Sequence, residues 1–271
     1  MPKILTPKFK FKIFMIKSMA LVAKTSTPKE WKTIASTIQT LVDEATFEAT
    51  TEGLSFRAMD PSHVALVDLF WPNSAFEKYD CSGETKFSIR VDEFVKLIRR
   101  AESRDSVEIE IKDEESSLTI RFENGYKREF KLNLIEATLS STPLPKLSFN
   151  VRMKLRENAF ERILKDIAVI SDQLIVNAKK DKVEFIGKSE TGSGSAVLEV
   201  GGEDLPELDV EDESKATYTI SYLESITKAA SSGSDFLIFE YSSKMPLRLE
   251  FKLGDAGGRI HFYLAPRVEE R

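Results

Sequence analysis

Apolar residues recur along this chain with two different spacings, and the alternation between them lays out the fold. Four stretches carry apolar side chains three and four residues apart, the signature of a helix with one buried face. The first follows Thr27-Pro28-Lys29-Glu30, which reads as a capping box with proline at the first helical position. It places Trp31, Ile34, Ala35, Ile38, Leu41 and Val42 on one side. The second, Val91–Arg104, buries Phe94, Leu97, Ile98 and Ala101. The third buries Phe160, Ile163, Leu164 and Ile167, and the fourth, near Ser221–Ala230, has the weakest pattern. Between them run short segments with strict two-residue alternation. In Val107–Ile111, Val107, Ile109 and Ile111 point one way, and Glu108 and Glu110 the other. Short alternating pieces separated by polar turns predict an α+β fold, a largely antiparallel sheet with helices packed on one face only.

The pattern occurs twice. Trp31–Phe56 and Phe160–Phe185 share the order helical face, short acidic break, alternating strand and polar turn, at an offset of 129 residues. Phe94–Ile111 is answered at almost the same spacing by Leu223–Tyr241. The chain is thus two similar domains of about 120 residues joined head to tail, each within the usual domain size. A duplicated body presents an extended pseudo-symmetric surface along which something long can lie, rather than one deep catalytic cleft.

Composition alone points away from nucleic acid, because the net charge is −5. The first 18 residues hold five lysines and no acid, so the remainder stands at −10. The distribution reverses that impression. The helices show Lys29, Lys32, Thr33, Ser36 and Gln39 on the first, and Lys96, Arg99, Arg100 and Arg104 on the second. The third offers Arg162 and Lys165 beside Glu161 and Asp166, and the fourth Lys228. Acids gather on strands and loops: Glu108, Glu110, Asp113, Glu114, Glu115, Glu123 and the run Glu203–Glu213. A face of cations and small hydroxyls without interleaved aromatics suits phosphate contact rather than base readout, which predicts sequence-independent binding of duplex DNA.

Chemistry of other kinds is not indicated. One cysteine, Cys81, cannot form an internal disulfide, which suits a reducing intracellular compartment. No apolar run approaches the roughly 20 residues a membrane helix needs. Two histidines, His63 and His261, and one cysteine make no metal-ligand cluster. Gly192-Ser193-Gly194 lacks the lysine and helix of a phosphate loop. No carboxylate pair stands in a setting that would tune an acid and a base apart, so no catalytic residue, metal or cofactor is expected.

One turn carries a sharper signal. Glu52–Leu69, EGLSFRAMDPSHVALVDL, reads as strand, turn and strand, with Asp60-Pro61-Ser62 at the turn. Together with the chain end Tyr263-Leu264-Ala265-Pro266-Arg267-Val268-Glu269-Glu270, it resembles the DNA polymerase sliding clamps of the proliferating cell nuclear antigen (PCNA) family, in their archaeal form. Leu41-Val42-Asp43-Glu44-Ala45, Phe94–Ala101, Thr227-Lys228-Ala229 and Met245-Pro246-Leu247 fit in order, and the match extends over Met19–Arg271.

The resemblance implies two domains, 19–134 and 149–271, each of two β-α-β-β-β units, joined by a connector at 135–148. It implies a closed ring of three subunits, whose helices line a hole threaded by duplex DNA. Lys32, Lys96, Arg99, Arg162, Lys165 and Lys228 match the family's pore-lining positions, and Arg100 adjoins them. It further implies a groove for PCNA-interacting peptides at Met59, His63, Leu66, Leu144, Pro246, Tyr263, Ala265 and Pro266, used by DNA polymerase, flap endonuclease, DNA ligase and the clamp loader. Ring closure would pair an edge near Gly125–Leu134 with one near Ser195–Gly201 of the next subunit, as a homotrimer or with paralogous subunits. Residues 1–18 fall outside the pattern, and two readings stay open: a start codon placed too early, or a basic arm adding nonspecific DNA affinity. The expected location is intracellular, nucleoid-associated in an archaeal cytoplasm. The rival reading is a duplicated protein-binding scaffold that does not encircle DNA.

Overall fold

The structure, a computed structural model, describes residues 19–112, 115–136, 142–231 and 235–267. The N-terminal segment 1–18, Asp113 and Glu114, the connector residues 137–141, residues 232–234 and the last four residues lie outside the described residues.

Four β-α-β-β-β units follow one another. The first is β1 (Met19–Thr25), α1 (Lys29–Gln39), β2 (Glu44–Thr50), β3 (Gly53–Met59) and β4 (Ala65–Pro72). After a short β5 (Lys78–Cys81) come β6 (Thr85–Arg90), α2 (Val91–Ile98), β7 (Ser106–Lys112), β8 (Ser117–Asn124) and β9 (Tyr126–Asn133). The second half repeats this with β10 (Val151–Arg156), α3 (Glu157–Ala168), β11 (Gln173–Ala178), β12 (Lys182–Ser189) and β13 (Gly192–Glu199). A short β14 (Glu207–Val210) precedes β15 (Ser214–Thr219), α4 (Ile220–Ala230), β16 (Phe236–Tyr241), β17 (Leu247–Leu253) and β18 (Gly258–Leu264). β5 and β14 are additions the sequence pattern did not announce, and they stand at equivalent places, on β1 and β10.

Every strand pairing is antiparallel, and the sheet orders expose the duplication. One sheet runs β5-β1-β7-β8-β9, another β13-β12-β11-β15, and the largest runs β14-β10-β16-β17-β18-β4-β3-β2-β6. The nine-stranded sheet is a five-stranded half from the second domain and a four-stranded half from the first, fused where β18 pairs β4 from Arg259↔Phe70 to Leu264↔Ala65. The other two sheets are the same two halves unfused.

The helices form one layer on the sheets, in the order α2, α1, α4, α3, since α1 packs against both α2 and α4, and α4 against α3. Trp31 of α1 meets Trp71 of β4 edge-on at 4.9 Å between ring centroids. The C-terminal end of α3 approaches the β12–β13 hairpin so closely that a side chain on either of two glycines would push its isoleucines aside. A Cβ on Gly187 would stand 2.6 Å from Ile167 Cγ2, and one on Gly194 2.8 Å from Ile170 Cδ1.

Three local expectations are corrected. The capping box does not form: α1 starts after Pro28, with no side-chain cap bond, and Thr27 is exposed. The second helix ends at Ile98 rather than Arg104, because the backbone turns there and is held by buried Asp105, whose carboxylate accepts the Glu102 amide and pairs with Arg128. Val95 occupies the core there, and Leu97 is only half-buried. Glu110, expected on an open acidic face, is buried because Arg121 of β8 reaches over the strand and pairs with Glu108, Glu110 and Glu129. The acidic strand face is therefore paired in part, one guanidinium being shared among three carboxylates.

Glu157 opens α3 with its carboxyl buried and its Oε1 without a hydrogen-bond partner among the described residues. Burial, with Asp235 and Glu161 nearby and against a Ser231 hydrogen bond, pushes it up to about 7 from an ordinary 4.5. Between those values the unfolded chain has released this proton while the folded chain still holds it, so stability falls as pH rises and the full cost stands above 7. We expect Glu157→Gln to stabilise the fold by about 3 kcal/mol at pH 8 and by little at pH 4.5, read from urea melts. Parallel pH profiles for the two proteins would remove this group from the account.

Candidate nucleic-acid face and peptide groove

The basic positions named from sequence lie on the side of the helix layer that turns away from the sheets. Core packing dictates this: Ile34 and Ile38, Phe94 and Ile98, Phe160, Ile163 and Ile167, and Leu223 and Ile226 are buried, so residues on the opposite faces of the same helices emerge. Lys96, Arg99, Arg162, Lys165 and Lys228 are exposed, as is Arg100 just past the end of α2, while Lys32 is half-buried. Thr33, expected beside them, is buried and its hydroxyl donates to the Lys29 carbonyl at 3.2 Å.

These cations are not equally available. Lys96 Nζ sits 2.9 Å from Asp92 and Lys165 Nζ 2.7 Å from Glu161, each one helical turn back. Arg162 reaches Asp204 at 3.9 Å, and Arg99 donates to Gln39 Oε1 at 2.9 Å, tying α2 to α1. Lys32, Arg100 and Lys228 form no ion pair with the described residues. The Lys96 hydrogen bond holds the Asp92 carboxyl below its ordinary range. Exposed pairs of this spacing are worth only about 0.3–0.5 kcal/mol, so a phosphate can displace the acid. The Asp92–Lys96 pairing had a signal in the four-residue spacing, which the sequence reading did not use.

At the end of the first domain's sheet, the β3–β4 turn is built around one carboxylate. Asp60 Oδ1 accepts the amides of Val64 at 2.8 Å and Ala65 at 2.6 Å, and Oδ2 accepts that of Ser62 at 3.1 Å. Tyr222 of α4 adds a hydroxyl to Oδ2 at 2.9 Å. Burial raises the carboxyl's affinity for a proton, but these four bonds outweigh it and hold Asp60 below the ordinary range. The turn forces His63 into the left-handed region at φ 58° and leaves its ring exposed.

Met59 opposes Leu66, and Leu66 opposes Tyr263, so the three form one row on the outer face of the nine-stranded sheet. Ala265 and Pro266 continue from β18, and the Ala265 amide bonds the Val64 carbonyl at 2.9 Å. Leu66 and Tyr263, expected as open groove positions, are largely covered and, like Ala265 and Pro266, do not line the cavity beside them. Met59 and His63 line a cavity of about 270 Å³ with Val42, Arg57 and the connector residues Ile135 and Thr142. Pro246 stands half-buried before β17, and Leu144 is exposed on the connector, neither lining that cavity. Val42, Arg57 and Ile135 were missed. Arg57 had a signal, since it is an outward position two residues before Met59; here it pairs with Asp68 at 2.8 Å and its guanidinium reaches the Thr142 carbonyl at 3.5 Å. Among the described residues no group of three or more His, Cys, Asp or Glu could hold a metal ion, and no helix is long and apolar enough to cross a membrane.

Comparison with known proteins places this geometry. Residues 20–141 match the family model described as proliferating cell nuclear antigen, N-terminal domain, and 143–267 that described as its C-terminal domain. A protein of Cenarchaeum symbiosum named DNA polymerase sliding clamp is 47% identical over 250 residues, covering 92% of this chain and 99% of that protein. One of the same name from Nitrosopumilus maritimus is 46% identical, covering 93% and 100%. Among solved structures, PCNA from Thermococcus kodakaraensis superposes with a TM-score of 0.86 at 29% identity, covering 91% of this chain and all of that one. A PCNA2–PCNA3 complex from Sulfolobus tokodaii gives 0.83 at 27%, covering 91% and 99%.

If the helix face meets phosphates, releasing Lys96 and Lys165 from their acids should strengthen it. We expect the double variant Asp92→Asn, Glu161→Gln to bind linear duplex severalfold more tightly at low salt, with a log–log salt slope steeper by up to about two, measured by fluorescence anisotropy. An unchanged slope would show that these lysines do not face the duplex.

Proposed function

This chain belongs to the proliferating cell nuclear antigen family and is a DNA polymerase sliding clamp, and from that premise we propose how its own residues close a ring, hold duplex DNA and take partners. The observation that carries the reading is the pairing of β18 with β4. β9 occupies in the five-stranded sheet the place that β18 occupies in the fused one, and β13 in the four-stranded sheet the place of β4. Both end their sheets, with one row of backbone groups unpaired. β9 of one subunit meeting β13 of the next repeats the internal junction, and a head-to-tail contact of this kind closes into a ring. Exposed Tyr126 at the start of β9, and Val197 and Val200 on and beyond β13, supply apolar surface for it.

Three copies bring twelve helices to one wall, with Lys32, Lys96, Arg99, Arg100, Arg162, Lys165 and Lys228 of each toward the duplex. Contacts to phosphate alone are exchangeable with counterions and blind to sequence, so the ring slides. Topology, not affinity, keeps it on the DNA. The connector at 135–148, between domains 19–134 and 149–271, frames the groove of Met59, His63, Leu66, Leu144, Pro246, Tyr263, Ala265 and Pro266. Partners such as DNA polymerase, flap endonuclease, ligase and the clamp loader insert a short peptide there through an aliphatic residue and paired aromatics. The protein has no catalytic part in this; it works inside the cell as a tether. A heterotrimer with paralogous subunits is the second reading, favoured by the two-subunit composition of the Sulfolobus complex.

Light scattering of the pure protein should give about three times 30.6 kDa; a stable monomer would sink self-assembly. Replacing Lys96, Arg99, Arg162 and Lys165 together with glutamate should abolish stimulation of a polymerase on primed circular DNA while leaving peptide binding intact. Undiminished stimulation would favour a scaffold that does not encircle DNA.

A further inference from the structure

The Asp60 carboxylate accepts three amides from its own turn, and its fourth bond comes from elsewhere: Tyr222, on α4 of the other domain, 162 residues away. α4 belongs to the helix layer and the turn joins the ends of β3 and β4, so this bond ties the helix layer directly to the turn. The turn it reaches bears Met59 at its root and His63 at its tip, and its Val64 carbonyl holds Ala265 of the chain end. His63 is in the left-handed backbone region, which a non-glycine residue keeps only when its surroundings impose it. Asp60 is buried and Tyr222 half-buried, so solvent replaces the hydroxyl poorly if it is lost. Tyr222 contributes nothing to the cavity lining itself.

We infer that Tyr222 is a positioning residue for partner binding: through Asp60 it fixes the β3–β4 turn in the shape that presents Met59 and His63 to a bound peptide. The inference rests on the groove proposed above. It makes a residue of the helix layer a determinant of affinity at the groove, and it predicts that the tyrosine hydroxyl, which also meets the Ser62 side chain, acts by way of the turn and chiefly through the carboxylate.

The test uses the full chain in its assembled state and a fluorescein-labelled synthetic peptide carrying an aliphatic residue followed by paired aromatics. Tyr222→Phe should weaken peptide binding on the order of 3- to 10-fold with solution mass unchanged. Tyr79→Phe, which removes a comparable hydroxyl bond to the Thr50 carbonyl at 2.8 Å far from the groove, should leave binding unaltered. Asp60→Asn should weaken binding as well, and the double variant with Tyr222→Phe should be no worse than Asp60→Asn alone. In the free protein, the 13C-methyl resonance of Met59 should move in Tyr222→Phe and stay in Tyr79→Phe. Wild-type affinity with an unmoved Met59 signal in Tyr222→Phe overturns the inference. So do additive losses in the double variant, or a loss of assembled mass, which would mark a general structural role. A wild-type protein that binds no such peptide, yet whose Met59 signal responds to Tyr222→Phe, sinks the groove and leaves the positioning role standing.

Discussion

Antiparallel pairing between β18 and β4 is the interaction on which the molecule depends. It is the only place among the described residues where strands of the two halves hydrogen-bond, and it converts two separate domains into one nine-stranded sheet. Because the halves are copies, satisfying this junction inside the chain leaves the equivalent junction unsatisfied at both ends. Backbone N–H and C=O groups on a long exposed edge demand a partner. Among the described residues the open edges β9 and β13 are thus a consequence of duplication, and the proposed assembly needs no interface beyond them.

The same geometry separates charge. Sheets that join edge to edge leave their two faces distinct, and the helices cover one of them throughout. Side chains that emerge from that layer are chosen by what the core does not use, so cations can accumulate there while the chain as a whole stays acidic. The opposite face carries carboxylates, but ion pairs such as Arg121 with Glu108 and Glu110, and Arg248 with Glu240, absorb much of the charge. What remains is a moderate difference between faces rather than a dipole of bare charges. A sliding contact needs no more than this, since strong ion pairing with the duplex would arrest it.

The helices were legible in sequence because their buried faces repeat at three and four residues, and the repeat at 129 residues made the duplication legible too. Boundaries were less so. Arg99 to Arg104 continue the helical pattern of α2, yet the backbone stops at Ile98 because buried Asp105 draws the following turn around itself and Arg128, a pairing between residues 23 apart that local periodicity does not contain. Glu110 misled for a related reason: alternation assigned its face correctly, but Arg121 on the next strand decided its burial. In the groove, the turn Met59–His63 was recognisable from its residues. The juxtaposition of Leu66 and Tyr263 depends on β18 pairing with β4, and no pattern within either strand announces that partner.

That dependence also distinguishes the proposed groove from its counterpart in the second half. The position in the second half that corresponds to the β3–β4 turn is the β12–β13 hairpin, where Ser189 and Thr191 share a hydroxyl bond of 2.9 Å and no buried carboxylate gathers the backbone amides. More than sequence divergence separates them. β4 is flanked by β18, and the chain end continues from β18 to bond Val64, so the first turn has a wall on its far side; β13 is an edge and has none within the subunit. A depression of about 270 Å³ does lie against that hairpin, lined by residues of β12 and β13 such as Glu184, Lys188, Ser193 and Val197, but no residue of the connector or of the chain end lines it. What sets the proposed groove apart is the coincidence of the internal junction, the connector and the chain end beside the β3–β4 turn.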